Sequence, residues 1–255
     1  MQPFSKVKNR HLQGPCVQLL IYMLTMKYYY LLLGLLLLAG CEPKPEDEFT
    51  DFIFQLPFQM TARDTISIGD TLWLTADISD QLREFNSGST YKVTPRDFEF
   101  KTLLGLRELT FPDKDLADQP SATESFLFVD KTGSLTRRGT TFSPVNYAYA
   151  NEGYKLRIGL VPRQQGVFCL NFLNGWGGSS AKPTPTPDLS YLLTNPAPNG
   201  GRRIGFLDGF YHYINEGNTN FYLFKQHCFA TSLKNNPSVG NVNYEQEATF
   251  TFVVK

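Results

Sequence analysis

A chain of 255 residues with 42% hydrophobic content is long and apolar enough to bury a core, which excludes disorder as the default. Its 24 basic and 24 acidic residues balance only over the whole length. The acids all follow Cys41 while Lys6, Lys8, Arg10 and Lys27 precede it, leaving 20 basic residues against 24 acidic ones downstream, a net −4. So mildly acidic a body offers no basic stripe to displace counterions from phosphate, and nucleic acid is set aside as a partner class. From the amino end, Tyr28 to Ala39 is apolar throughout, with Lys27 before it and small residues at its end, the order of a secretory signal. The run is too short to cross about 30 Å of hydrocarbon, which takes roughly 20 apolar residues. Extending it back to Val17 buries Lys27 near the middle, at a cost of about 2.5–3.5 kcal/mol. A cleaved signal over residues 1–40 is therefore expected. Met26-Lys27 makes a compact signal start of its own, which points to translation from Met26 or Met23.

The signal ends in Leu38-Ala39-Gly40-Cys41, an aliphatic residue and two small ones before a cysteine. This resembles the bacterial lipobox. The resemblance implies that the Cys41 thiol receives a diacylglycerol, that the signal is cut just before it, and that the new amino terminus is acylated. Two or more chains give stable membrane anchoring where one gives marginal binding. Residues 41–49 then form a lipidated acidic tether, since Pro43 and Pro45 stop a helix and the charge keeps it solvated. Lys44-Pro45-Glu46-Asp47-Glu48 is similar, imperfectly, to the surface-export tethers of Bacteroidota lipoproteins. The expected address is the outer membrane, at the cell surface or on the periplasmic face.

Residues 50–255 read as β throughout. The candidate strands, in order, are Asp51–Leu56, Thr65–Ile68, Thr71–Ser79, Asp97–Leu103, Ser125–Val129, Tyr154–Val161, Gly166–Phe172, Gly205–Tyr213, Phe221–Phe229 and Thr249–Lys255. Leu72, Leu74, Ala76 and Ile78 share one face of the third, and Tyr154, Leu156, Ile158 and Leu160 share one face of the sixth. Phe250, Phe252 and Val254 repeat the alternation at the carboxyl end. Short strands, Gly, Asn and Asp turns and no amphipathic helix predict one all-β domain, an antiparallel β-sandwich. A Gly/Pro-rich loop at 174–203 makes an excursion from it. The stretch Asp64 to Asp80 resembles the opening strands of immunoglobulin-like modules in exported bacterial proteins. Within it, Asp64-Thr65-Ile66 and Asp70-Thr71-Leu72 resemble Asp-Thr-apolar O-glycosylation sites, although ordinary turn aspartates beside strand threonines explain them as well. In texture the whole chain is similar to uncharacterised β-rich lipoproteins of Bacteroidota, a likeness that carries no activity.

With Cys16 lost with the signal and Cys41 lipidated, Cys169 and Cys228 remain. In an exported chain they suggest a disulfide between two β elements, the alternative being two separately buried thiols. After Cys41 the only histidines are His212 and His227, both read first as structural residues. There is no His-Glu-x-x-His, Cys-x-x-Cys, Gly-x-Ser-x-Gly or phosphate-cradling loop, so no catalytic residue, metal site or cofactor is assigned. The leading expectation is a non-enzymatic binding or envelope-accessory domain with a polysaccharide or protein ligand. Trp176, on the flexible loop, and Tyr211 and Tyr213 are the candidate aromatics that would stack on it. The competing class is a carbohydrate-active enzyme using paired carboxylates, with Asp188, Asp208 and Glu216 as candidates.

Overall fold

The computed structural model describes residues 22–23, 26–30, 45–96, 101–136, 142–172, 187–229 and 244–255. The chain divides into two units, 1–46 and 47–255. In the first, residues 22–23 and 26–30 are helical and exposed. Among the described residues no helix is long and apolar enough to cross a membrane.

The second unit is an all-β sandwich. One sheet runs β10 (Ala148–Tyr149), β11 (Gly153–Pro162), β3 (Leu72–Ser79), β1 (Glu48–Met60) and β13 (Arg203–Ile214), with β7 (Phe126–Thr132) also on β11. The other runs β2 (Thr65–Ile66), β14 (Thr249–Val254), β12 (Gly166–Phe172), β6 (Lys101–Glu108), β9 (Phe142–Asn146) and β8 (Ser134–Leu135). A separate hairpin pairs β4 (Gln81–Arg83) with β5 (Thr90–Lys92). Both large sheets are mixed. The pairings β1–β13 and β2–β14 are parallel, and the remaining ones are antiparallel.

The period-two alternation builds the core. Leu72, Leu74, Ala76 and Ile78 of β3 and Tyr154, Leu156, Ile158 and Leu160 of β11 are all buried, and so are Phe52, Phe54, Leu56, Phe58 and Met60 of β1. They meet Leu104 and Leu106 of β6, Phe168, Leu170 and Phe172 of β12, and Phe250, Phe252 and Val254 of β14 in one cluster. Each such side chain contributes about 1.5–3 kcal/mol by leaving water. On the outer face Trp73 is half-buried, with the Arg157 guanidinium 4.8 Å over its ring.

Three parts of the chain differ from the sequence reading. Phe221–His227 is a helix, not a strand, because Phe221, Phe224 and Cys228 fall on one helical face and pack with Leu109 and Cys169 on the outside of the second sheet. Glu48 and Phe49, read as tether, are the first residues of β1. The excursion extends well beyond 203. β12 and β14 pair as neighbours from Gly166↔Val254 to Asn171↔Thr249, and residues 173–248 are inserted between them. Of that insertion, β13 crosses to the first sheet and lies parallel to β1, from Glu48↔Arg203 to Phe58↔Ile214.

Candidate functional site

β1 changes partners along its length, and the site is built where it does. Its last residues, Gln59 and Met60, pair with β3, whereas its first eleven lie against β13 on one edge. On the other edge the β4–β5 hairpin folds over, with a bridge between Phe54 and Glu84 and a hydrogen bond from the Phe85 amide to the Ile53 carbonyl. The segment leading into β13 closes the third side. Its Leu189 is fully buried, and Asp188 caps its turn by accepting from the Ser190 amide at 2.8 Å and from the Ser190 hydroxyl. Those two bonds hold the Asp188 carboxyl below its ordinary range.

Between these walls lies a cleft of about 390 Å³ lined by Thr50, Asp51, Phe52, Glu84, Asn86, Ser87, Tyr91, Leu192 to Asn195 and Arg203. Its floor is aromatic, with Tyr91 edge-on to Phe52 at 5.1 Å and to Phe54 at 6.4 Å. Glu84 is buried, and its carboxylate accepts from the backbone amides of Ile53 (3.4 Å), Asn86 (3.0 Å) and Ser87 (2.5 Å). That pattern ties the hairpin turn to β1. Arg203 is neutralised by Glu48, its Nε 3.0 Å from Oε2. Beside it Arg202 grips Asp47 with Nη2 2.7 Å from Oδ2, and this bond holds the Asp47 carboxyl down and the guanidinium up. Asp51, Thr194 and Asn195 are exposed, and among the described residues their side chains have no partner.

Such a cleft can hydrogen-bond a polar ligand over an aromatic floor. Acid–base catalysis by paired carboxylates needs a carboxyl that gives and takes a proton. The Glu84 oxygens are engaged by three backbone amides of β1 and the hairpin turn. Asp188 is bridged to Phe206, two residues from Asp208 along β13, but Glu216 is remote from both. Asp208 sits at the bulge midway along β13, and Glu216 lies past the strand's far end, roughly 20 Å further along. Among the described residues no three His, Cys, Asp or Glu side chains converge on a metal position.

Cys41 and Trp176 lie outside the described residues. Tyr211 is 5% exposed: Phe85 packs on it at 4.5 Å, Tyr213 stacks beside it, and its hydroxyl donates to Glu247. Tyr213 is half-buried, and burial raises its pKa. Cys169 and Cys228 are both buried and pack in one apolar cluster, and no bridge joins them in this structure, which corresponds to the second of the two alternatives. Cys228 caps the helix Phe221–His227, so the two cysteines do not join two strands. His212 is fully buried and His227 half-buried at the helix end. Asp64 accepts from the Tyr222 hydroxyl at 2.8 Å and Asp70 from the Ser67 amide at 2.9 Å, both structural contacts. The sequence reading missed the hairpin residues Glu84, Asn86, Ser87 and Tyr91. The signal was there in Phe85-Asn86-Ser87-Gly88, a turn between short alternating runs. No family model, curated protein or solved structure matches the chain.

Proposed function

We propose that the chain is an exported lipoprotein, anchored to the outer membrane through Cys41, whose sandwich binds a polar ligand without transforming it. The ligand class is a polysaccharide or a polar protein segment. The observation that carries the binding role is the cleft over β1, where Thr194 and Asn195 present unengaged polar groups in a lining shared with Tyr91. The anchor rests on Leu38-Ala39-Gly40-Cys41 and on the folded unit that begins shortly after it, at Asp47. We read the sandwich as immunoglobulin-like: the order β1-β3-β11-β7 against β6-β12-β14 is that of its seven strands, and the cleft is an elaboration carried between the last two.

Intact mass and detergent partitioning of the native protein and of Cys41→Ser test the anchor. Diacylglycerol on an amino terminus at Cys41, absent from the variant, is expected; retained residues before Cys41 would refute it. Titration of polysaccharide fragments tests the cleft. Asn195→Ala is expected to weaken binding about fivefold, the loss of one hydrogen bond, with the fold intact. Binding unaffected by Thr194→Ala and Asn195→Ala together would remove the cleft from the account. New reducing ends would instead establish the glycosidase reading.

A further inference from the structure

β1 leaves part of one edge open. Glu48 turns its backbone groups to β13, its amide donating to the Arg202 carbonyl at 2.8 Å, and in a regular parallel ladder Thr50 and Phe52 do the same while Phe49, Asp51 and Ile53 turn theirs the other way. At Ile53 that second edge is used: the carbonyl accepts from the Phe85 amide at 2.7 Å and the amide donates to Glu84 at 3.4 Å. There the pairing stops, because the hairpin turns away through Asn86-Ser87-Gly88, closed by a bond from the Gly88 amide to the Glu84 carbonyl. The backbone groups of Asp51 and Phe49 on the same edge have no partner among the described residues. Asp51 lines the cleft from this edge, since its side chain lies on the outer face in register with Phe206 while Thr50 and Phe52 face inward.

An unpaired strand edge is a template for another backbone. We propose that the ligand of the cleft is an extended peptide that adds to this edge, antiparallel to β1 and in line with the incoming hairpin strand, with a Lys or Arg opposite Asp51. This rests on the reading of the cleft as a binding site. The direction follows from the neighbour already on that edge, since the bridge between Phe54 and Glu84 is antiparallel. From Ile53 to Phe49 the edge runs roughly 13 Å, room for about four residues. A cleft of about 390 Å³ between the hairpin and Leu192 to Asn195 admits one extended chain and not the rim of a second folded copy. In strand addition the main chain supplies affinity and alternate side chains supply specificity. The ligand residue opposite Thr50 faces inward, where the half-buried Tyr91, Leu192 and Leu193 favour an apolar side chain. The residue opposite Asp51 faces outward beside a carboxylate with no ion-pair partner among the described residues, which favours a cation. Arg203 does not compete for that carboxylate, because Glu48 holds it on the inner side.

The test is selection from a phage-displayed library of random heptapeptides on the purified full chain in detergent, followed by synthesis of the enriched sequence unmodified and with single backbone N-methyl groups. Enrichment of Lys or Arg next to an apolar residue is expected. N-methylation should cost about tenfold in affinity at one residue and less than about twofold at the next, because only alternate amides of an added strand point at β1. Bound peptide should slow hydrogen exchange at the Phe49 and Asp51 amides about tenfold or more and leave Thr50, already bonded to β13, unchanged. Asp51→Lys should weaken the enriched peptide about fivefold and shift selection toward Asp or Glu. Peptide binding that leaves exchange at Phe49 and Asp51 unchanged, or that N-methylation weakens equally at successive residues, overturns the proposal. So does a failure to enrich any peptide while a polysaccharide fragment binds and is lost with Thr194→Ala and Asn195→Ala, which leaves the cleft standing as a sugar site. If neither ligand binds, the cleft and the proposal fall together.

Discussion

His212 sets a pH dependence that can be worked out from its surroundings. It points inward from β13, fully buried, with its ring parallel to Phe172 at 4.7 Å and near Phe58 at 5.7 Å and Phe210 at 6.2 Å. Burial among these rings disfavours the imidazolium and pushes the pKa down to about 3. In the unfolded chain the same imidazole titrates near 6.5. As pH falls through that value the unfolded state takes up a proton that the folded state refuses, so stability is complete above about pH 7.5 and declines toward pH 3. The loss from this one group is about 2 kcal/mol by pH 5 and between 4 and 5 kcal/mol, roughly, by pH 3. Urea unfolding of the body from Glu42 onward at pH 8 and pH 5, for wild type and His212→Phe, isolates it. The phenyl ring keeps the stack and cannot titrate, while contributions from carboxylates and His227 cancel in the difference. The variant should lose about 2 kcal/mol less than wild type between the two pH values. Equal losses, or an imidazole resonance that titrates near 6.5 in the folded protein, would refute the reasoning.

Two further perturbations report on the scaffold. Gly133, in the turn from β7 to β8, has φ +69°, and a Cβ there would meet the Asn146 carbonyl oxygen at 2.5 Å; Gly133→Ala should cost roughly 2–5 kcal/mol in urea unfolding, and a neutral result would displace the turn. Gln119 is buried, accepts from the amides of Thr110 and Phe111 and donates to the carbonyls of Phe111 and Lys114. Gln119→Ala should cost about 1–3 kcal/mol and speed hydrogen exchange at Thr110 and Phe111 while sparing β6; unchanged exchange there would show that the loop is held otherwise.

What was legible in the sequence was what a single strand determines by itself. Leu72, Leu74, Ala76 and Ile78 announce a buried face because the side-chain period of a half-buried strand is two, and the same holds for Phe250, Phe252 and Val254. The helix Phe221–His227 was not legible, since a seven-residue aromatic run satisfies strand alternation and a helical face equally well. Only tertiary packing of Phe224 and Cys228 against Cys169 decides between them. The parallel pairing of β1 with β13 has no local signature, because it joins segments some 150 residues apart. The cleft was hidden for the same reason. Its walls come from β1, from a polar hairpin at 81–92 and from the approach to β13, and none of the three carries a motif alone. Tyr211 reads as an available ring until Phe85 and Glu247, both distant in sequence, are placed over it.

These pieces share a structural logic. β3, β6, β7, β11, β12 and β14 meet around Leu74, Ile158, Phe168 and Phe252, and residues 173–248 add Leu189, Leu207, Phe210 and Ile214 to the same buried cluster. The insertion needs β1: β13 crosses from the second sheet to the first and pairs with the one strand whose leading half reaches past β3. That capture creates the cleft on the inner side of the Glu48 end, with the ion pairs Asp47–Arg202 and Glu48–Arg203 clamping the two strands where they begin. The insertion thus supplies one wall of the cleft, and β1 and the β4–β5 hairpin supply the others. Among the described residues Asp51, Thr194 and Asn195 have no hydrogen-bond or ion-pair partner for their side chains, so substitutions there should cost little stability.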